Sequence, residues 1–142
     1  MIRKLNEMAI PMGGNNYRRQ RMYDLLVTAF EGGVNYWVNR AYVVKKPTHI
    51  KFDPDGDLGE FMGGTYEALM NDGAVKVQYE NTEEDGGKQM SKVITYRDLS
   101  KGLEIMKEKY PRNYKDFMDE NEDAGTADVW FQCALLGETI FG

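Results

Sequence analysis

The chain has 142 residues, of which 42% are hydrophobic, and a net charge of −5. This length is typical of one domain with a substantial core. It contains one cysteine and one histidine, which excludes an internal disulfide and a zinc site built from four Cys and His ligands. No stretch approaches the roughly 20 apolar residues of a membrane-spanning helix, and the start lacks the apolar run of a signal peptide. We therefore expect one soluble, cytoplasmic domain and no membrane partner.

The first predicted elements are a helix and a strand that meet at two glycines. Apolar residues recur at helical spacing over residues 17–30, namely Met22, Leu25, Leu26, Ala29 and Phe30. The glycines at 32–33 end this helix, because glycine is common where a chain enters positive φ after a helix. Alternation of apolar and polar residues then predicts a strand over 34–44.

The remainder of the chain predicts a hairpin followed by helices. Residues 47–64 are rich in turn formers and predict a loop excursion. The elements expected after it are a short helix at 65–71, strands at 75–79 and 90–96 around an exposed turn at 81–87, and helices at 95–110, 114–118 and 127–135. Grouped strands and helices predict a single α+β domain over 1–142, with a small, mostly antiparallel three-stranded sheet packed with helices. Residues 1–14 are expected to be a flexible N-terminal segment.

The acidic residues are concentrated at one end of the chain. Lys115 is the last basic residue, and seven acids follow it: Asp116, Asp119, Glu120, Glu122, Asp123, Asp128 and Glu138. These acids either form a solvated face that pairs with Arg18, Arg19 and Arg21, in the fold or in an oligomer, or they repel nucleic acid or mimic it toward a basic partner. Nucleic acid is accordingly not the expected partner.

Catalytic and metal sites receive little support from the sequence. The stretch at 53–60, DPDGDLGE, begins like a calcium-binding loop, but Leu58 and Gly64 occupy the positions that need the turn glycine and the bidentate acid. Cys133 falls in an apolar helix and His49 in an unrelated loop, so we assign no catalytic residue, no metal and no cofactor.

The helix–strand junction is the main candidate for ligand binding. Trp37 shares one face of the predicted strand with two asparagines, and such a face either stacks a base and reads its edge or packs into a core. An arginine in the first helix could hold a phosphate. The candidate ligand-binding residues at this stage are Glu31, Gly32, Gly33, Asn35, Tyr36, Trp37 and Arg18.

Both ends of the chain carry motifs that resemble a known group of proteins. The motifs are EGG-x-x-YW at 31–37 and D-x-x-x-Q-x-A-x-x-GE-x-x-F-G at 128–142. They resemble a family of short, mostly uncharacterised proteins encoded by bacteriophages and prophages. The resemblance implies a phage origin and a location in the host cytoplasm, but it carries no established activity.

Small phage proteins without catalytic motifs often act on host machinery by binding. We therefore expect a phage accessory protein that counters host defence by binding a small nucleotide-like ligand or signal, without catalysis and as a homo-oligomer. Asp128 and Gln132, four residues apart on the last helix, share a face and are expected near Glu31 and within the site. The alternatives are an acidic inhibitor that binds a host enzyme or defence protein, and a metal-dependent nucleotide-processing enzyme that uses Glu31 or Asp128.

Overall fold

The computed structural model of the chain describes residues 14–81 and 87–142. Its elements are α1 (Gly14–Thr28), which continues as a π-helical turn (Ala29–Gly33), β1 (Val38–Lys45), a 3₁₀ segment (Leu58–Gly64), α2 (Thr65–Met70), β2 (Ala74–Asn81), β3 (Lys88–Ile94), α3 (Tyr96–Lys109), α4 (Pro111–Met118) and α5 (Ala124–Leu136). The predicted flexible segment 1–14 and the predicted turn 81–87 lie outside the described residues, except at their ends. None of the described helices is long and apolar enough to cross a bilayer.

The sheet confirms the predicted α+β class. Its strand order is β1-β2-β3, and both neighbouring pairs are antiparallel. Along β2, Val75, Val77 and Tyr79 are buried, whereas the residues between them are only partly buried. This alternation places one face of the sheet against the helices and leaves the other toward solvent.

Helix α5 is the centre of the helical layer. It packs against α1, α3 and α4 and also contacts β3, so apolar side chains are buried on several of its sides, among them Trp130, Phe131 and Leu135. It approaches α3 closely because Gly102 faces Ala134, and a Cβ atom at Gly102 would lie 2.8 Å from the Ala134 Cβ atom. A helix enclosed in this way orients its few polar side chains firmly.

The two long helices at the end of the chain have the predicted caps at the start of α3 and at the end of α5, whereas α5 begins at Ala124 rather than at the predicted residue 127. Thr95 and Asp98 form the capping box that starts α3. Gly137 ends α5 in the left-handed conformation, with φ of 84°, which favours glycine. Strand β3 ends at Ile94 rather than at the predicted residue 96, because Tyr96 is already the first residue of α3.

The predicted strand over 34–44 is wrong in its first four residues. Residues 34–37 form a turn, in which the backbone N–H groups of Trp37 and Val38 donate to the carbonyl of Val34 at 3.0 and 2.9 Å. The predicted face shared by Trp37 with two asparagines therefore does not exist. Val34 and Trp37 are both buried, and a turn brings both side chains inward where an extended strand would separate them.

The predicted role of the two glycines is also wrong. Neither Gly32 nor Gly33 has a positive φ, and Gly32 has an extended φ of 179°. Gly33 is required for another reason: a Cβ atom there would lie 2.8 Å from the carbonyl oxygen of Ala124. The junction thus lies directly against the first turn of α5.

The predicted loop excursion at 47–64 packs against the core. Its middle is fastened by the side chain of Asn71, which accepts from the backbone N–H groups of Lys51 and Phe52 at 2.7 and 2.9 Å and donates to the carbonyl of Phe52 at 3.0 Å. Phe52 and Leu58 are buried. These two buried side chains, one on each side of the turn between them, therefore hold the excursion in place.

Candidate functional site

The carboxylate of Asp128 is the centre of a hydrogen-bond network between α5 and the helix–strand junction. Its Oδ1 atom accepts from the indole Nε1 of Trp37 at 2.9 Å and from Nε2 of Gln132 at 3.0 Å. Its Oδ2 atom accepts from the hydroxyl of Tyr36 at 2.5 Å. The predicted convergence of Asp128 and Gln132 on the glycine junction is thus present, and both carboxylate oxygens are occupied by side chains of this chain.

A second group of contacts attaches the segment that follows α5. Gln132 is 1% exposed; its Oε1 atom accepts from the backbone N–H groups of Ile140 and Phe141 at 2.7 and 2.9 Å, and its Nε2 atom donates to the carbonyl of Phe141 at 3.2 Å. The hydroxyl of Tyr110 accepts from the backbone N–H of Thr139 at 2.8 Å. Residues 138–142, which we call the closing segment, are therefore held by side chains of the helical layer.

The aromatic side chains of the site stack on one another. The ring of Phe141 lies on the indole of Trp37 with 4.9 Å between ring centroids and 15° between planes. Tyr79 meets the Phe141 ring edge-on at 6.3 Å. Trp37 is 2% exposed, because the closing segment and the sheet cover it. The face on which a ligand base was expected to stack is occupied by Phe141.

The predicted site residues divide into two groups. Tyr36, Trp37, Asp128 and Gln132 meet in the network, and Gly33 lies beside it, with the ideal Cβ position 3.5 Å from the backbone nitrogen of Asp128. The remaining predicted residues do not contribute side-chain contacts to it.

Three of those remaining residues are exposed or distant. Glu31 and Asn35 are exposed at the junction. Arg18 donates to the hydroxyl of Ser100 at 2.7 Å and lies 4.0 Å from the carboxylate of Glu104. It belongs to the start of α1, roughly 20 Å from the junction at the rise of an α-helix. The predicted phosphate partner is thus separated from the predicted base-stacking residue.

The environment of the network changes the proton affinity of its tyrosine. Burial raises the pKa of Tyr36, and the hydrogen bond and negative charge of Asp128 raise it further, because both disfavour a phenolate. Although the side chain is 55% exposed, its hydroxyl points at the carboxylate. The hydroxyl is therefore a hydrogen-bond donor throughout the neutral range.

Cys133 lies in the same helix and confirms the prediction of a buried structural cysteine. It is 1% exposed, and burial raises the pKa of its thiol to about 11. A protonated thiol without access to solvent is a poor nucleophile. Within residues 14–81 and 87–142, no group of three or more His, Cys, Asp or Glu side chains is placed to hold a metal ion.

An open groove of about 490 Å³ lies beside the network, between α4, α5 and the closing segment. Asp116, Asp123 and Asp128 contribute carboxylates to its wall, and Tyr110 and Phe141 contribute aromatic surface. All residues that line it belong to the described part of the chain, and none of them is Lys or Arg. The groove is therefore negatively charged.

The three carboxylates of this groove, which we call the acidic groove, have different roles. Asp128 is the centre of the network. Asp123 caps α5 by accepting from the backbone N–H of Thr126 at 3.0 Å, and this bond lowers the pKa of its carboxyl group. Asp116 is partly buried on α4, and its side chain has no hydrogen bond or ion pair among those seen in the described residues. Its charge contributes to the groove that it lines.

The predicted pairing of the acidic end with the arginines of α1 is present at one position. Arg21 pairs with Glu122 at 2.9 Å, with side-chain exposures of 8% and 14%, and also donates to the carbonyl of Phe117. Arg19 instead lies over the ring of Tyr96, 4.8 Å from its centroid. Most of the acidic end is thus not neutralised by α1.

Sequence reasoning missed Phe141, Tyr110 and Asp116 as parts of the site. Phe141 belongs to the second motif, but its contact with Trp37 joins residues about a hundred positions apart, which periodicity cannot indicate.

Comparisons of the chain with protein-family models, with curated proteins and with solved structures gave no significant match.

Proposed function

We propose that the chain is a non-catalytic binding protein that docks a basic surface of a partner protein on the acidic groove. The observation that carries the proposal is the composition of that groove: three carboxylates, aromatic surface and no basic lining residue among the described part of the chain. Opposite charges at an interface steer association and select the partner. This corresponds to the acidic-inhibitor alternative of the sequence analysis.

The nucleotide-like ligand, which is the first expectation from the sequence, has weaker support from the same geometry. A nucleotide needs a cation or a cluster of N–H donors for its phosphates. Arg18 pairs with α3 instead, and the groove lined by Asp128 and Phe141 is acidic. The charge that favours a basic partner thus opposes a phosphate.

The resemblance to phage-encoded proteins supplies a biological setting for the proposal. A phage protein with an acidic docking surface would act on a host enzyme or defence protein whose functional surface is basic, such as one that binds nucleic acid. Blocking such a surface requires affinity and no catalysis, which agrees with the saturated hydrogen bonding of Asp128.

Titration with a fluorescent nona-arginine peptide tests the docking surface before a natural partner is identified. We expect saturable binding that weakens strongly between about 50 mM and about 500 mM salt, because exposed charges are screened within a Debye length. Asp116→Asn removes one groove charge without removing a structural bond, and we expect it to weaken binding by several-fold. Fluorescence anisotropy measures both effects.

The matched control is Asp55→Asn, which removes the same charge from an exposed position in the 47–64 excursion. Equal effects of the two substitutions, or no binding by the wild-type protein, would contradict the acidic groove as the docking site. A melting-temperature shift with AMP, ADP or cyclic nucleotides, insensitive to Asp116→Asn, would instead favour the nucleotide alternative.

A further inference from the structure

The closing segment is held in place by hydrogen bonds to other parts of the chain. Residues 138–142 have no regular secondary structure, and their backbone groups are bound by the side chains of Tyr110 and Gln132. We call the surface formed by Trp37, Tyr79, Tyr110 and Gln132 the docking cleft. The docking cleft binds the closing segment as a receptor binds an extended peptide.

The cleft contacts both the backbone and the aromatic ring of the same residue of the peptide, Phe141. The amide of Gln132 accepts from the N–H of Phe141 and donates to its carbonyl, as a neighbouring strand does. The ring of Phe141 then fits against Trp37 and Tyr79. These contacts specify an extended segment that carries an aromatic residue.

The position after the aromatic residue requires a small side chain. A Cβ atom at Gly142 would lie 3.0 Å from the hydroxyl oxygen of Tyr36, and the φ of Gly142 is 104°. Because Tyr36 is fixed by Asp128, it cannot move without breaking the network. The cleft therefore selects an aromatic residue followed by glycine.

The closing segment is joined to α5 through one glycine, the C-cap residue Gly137. Gly137 joins α5 to the closing segment with φ of 84°, and a Cβ atom there would have nothing within 4 Å. No contact of the cleft depends on that connection, so an identical segment from another molecule satisfies it equally well. Exchange of an identical element between copies conserves every contact and is a low-cost route to dimers.

We propose that the docking cleft is a peptide-binding site for an aromatic-glycine segment, filled by the molecule's own closing segment when isolated and by that of a second copy in a segment-exchanged dimer. Each copy then supplies Phe141 to the site of the other. The docking cleft shares Tyr110 and Gln132 with the acidic groove, but the proposal does not rest on a partner that binds the groove. The intramolecular segment competes at an effective concentration of about a millimolar, so exchange is favoured when the protein is concentrated.

A synthetic peptide tests whether the cleft accepts its ligand from another molecule. In Phe141→Ala the cleft lacks its ring, so we expect acetyl-GETIFG at about millimolar concentration to bind and to shift the NMR signal of the Trp37 indole N–H. The control peptide GETIAG should not bind, and the wild-type protein, whose cleft is full, should respond several-fold less. Absence of binding of GETIFG to folded Phe141→Ala would overturn the proposal.

Two complementary variants test the exchange itself. Phe141→Ala keeps the cleft and loses the donor ring, whereas Gln132→Ala keeps the donor and loses the backbone contacts of the cleft. We expect each variant to sediment as a monomer and their equimolar mixture at about millimolar concentration to contain dimer. A mixture that remains monomeric while both variants are folded would overturn exchange.

If Gln132→Ala does not fold, Ile140→Pro in an otherwise intact chain gives a separate test that uses added peptide in place of a mixture of variants. It removes the N–H that donates to Gln132, so this variant has a whole cleft and a defective donor, and adding GETIFG should restore the wild-type indole signal. Failure of the peptide to do so would count against the proposal. Saturation of Phe141→Ala by adenosine but not by GETIFG would overturn the peptide assignment in favour of a planar base.

Discussion

Asp128 is the residue on which the site depends most. It is the shared acceptor for one donor each from a tyrosine, a tryptophan and a glutamine. Hydrogen bonds to a charged acceptor contribute more than neutral ones, about 1.5–3 kcal/mol each. Its carboxylate thus fixes the junction, and through Gln132 it also fixes the closing segment.

Replacing Asp128 with Asn should reduce stability while preserving side-chain volume. The amide has one acceptor oxygen in place of two and carries no charge, so we expect a loss of about 1–3 kcal/mol in the free energy of unfolding, measured by urea denaturation at neutral pH. Asp116→Asn is the matched control, since it removes a charge from the same groove without a structural bond. Equal losses in the two variants would show that the network is not stabilising.

The hydroxyl of Tyr36 makes stability depend on pH in the alkaline range. Its pKa is raised in the folded protein, first by burial and then by Asp128, whereas an unfolded tyrosine titrates near about 10. Because the pKa is higher in the folded state, the contribution of the Tyr36 hydroxyl to the free energy of unfolding is complete below the unfolded pKa. This contribution is lost as the pH rises from about 10 toward the folded pKa.

Tyr36→Phe should therefore flatten the alkaline part of the stability profile. We expect the wild-type protein to lose more unfolding free energy than the variant between about pH 9 and about pH 11, and both to change alike between about pH 6 and about pH 8. Urea titrations at these pH values measure the difference. Parallel curves across the whole range would contradict the role given to the Tyr36 hydroxyl.

At the scale of elements, the packing of the helix–strand junction against α5 positions the site. The two glycines of the junction look equivalent in the sequence but differ in the fold. Beside Gly33 lies the carbonyl oxygen of Ala124, at 2.8 Å from an ideal Cβ atom, whereas beside Gly32 nothing lies within 4 Å.

This difference gives a matched pair of substitutions. Gly33→Ala forces α5 away from the junction and should cost about 1–3 kcal/mol, as overpacking usually does. Gly32→Ala should change stability by less than about 0.5 kcal/mol, as exposed substitutions usually do. Thermal denaturation compares the two, and a larger loss for Gly32→Ala would refute the close approach.

The contact between α1 and the acidic end should depend on a buried ion pair. Arg21 and Glu122 face each other with little exposure; Oε2 of Glu122 makes the contact, and its Oε1 atom has no hydrogen-bond partner among the described residues. Arg21→Met would leave a buried carboxylate alone, so we expect a loss of about 3–5 kcal/mol.

Removing both charges should cost less than removing one. In Arg21→Met with Glu122→Gln the uncompensated carboxylate is gone, so we expect the double variant to be more stable than the single one. Guanidinium unfolding curves for the three proteins measure this coupling. A double variant less stable than Arg21→Met would contradict the account of this contact.

The elements that the sequence predicts well are those with a local signal. Helix α3 follows from apolar spacing and a capping box at Thr95, and the β2–β3 hairpin follows from alternation. The start of β1 is missed because residues 34–38 alternate as a strand does, while burial of Trp37 by distant residues imposes a turn. Helical spacing predicts that Asp128 and Gln132 share a face of α5, but it does not predict their hydrogen-bond partners.

The distribution of charge is the main property at the scale of the whole molecule. The acids that follow Lys115 lie in α4, in α5 and in the segments that follow these helices, whereas no Lys or Arg follows Lys115. The sequence shows this division, but only the placement of α4 beside α5 turns part of it into an acidic groove. A groove built by two helices and a closing segment has no local signature in the chain.

The most direct measurement is an NMR titration of the ¹⁵N-labelled protein with nona-arginine at low salt. The account predicts that the largest amide shifts cluster at Asp116, Thr126 and Val129 around the acidic groove, and that Asp116→Asn diminishes them. Shifts that are as large around the acids of the 47–64 excursion, or that leave the groove unaffected, would contradict the claim that the acidic groove is the docking site.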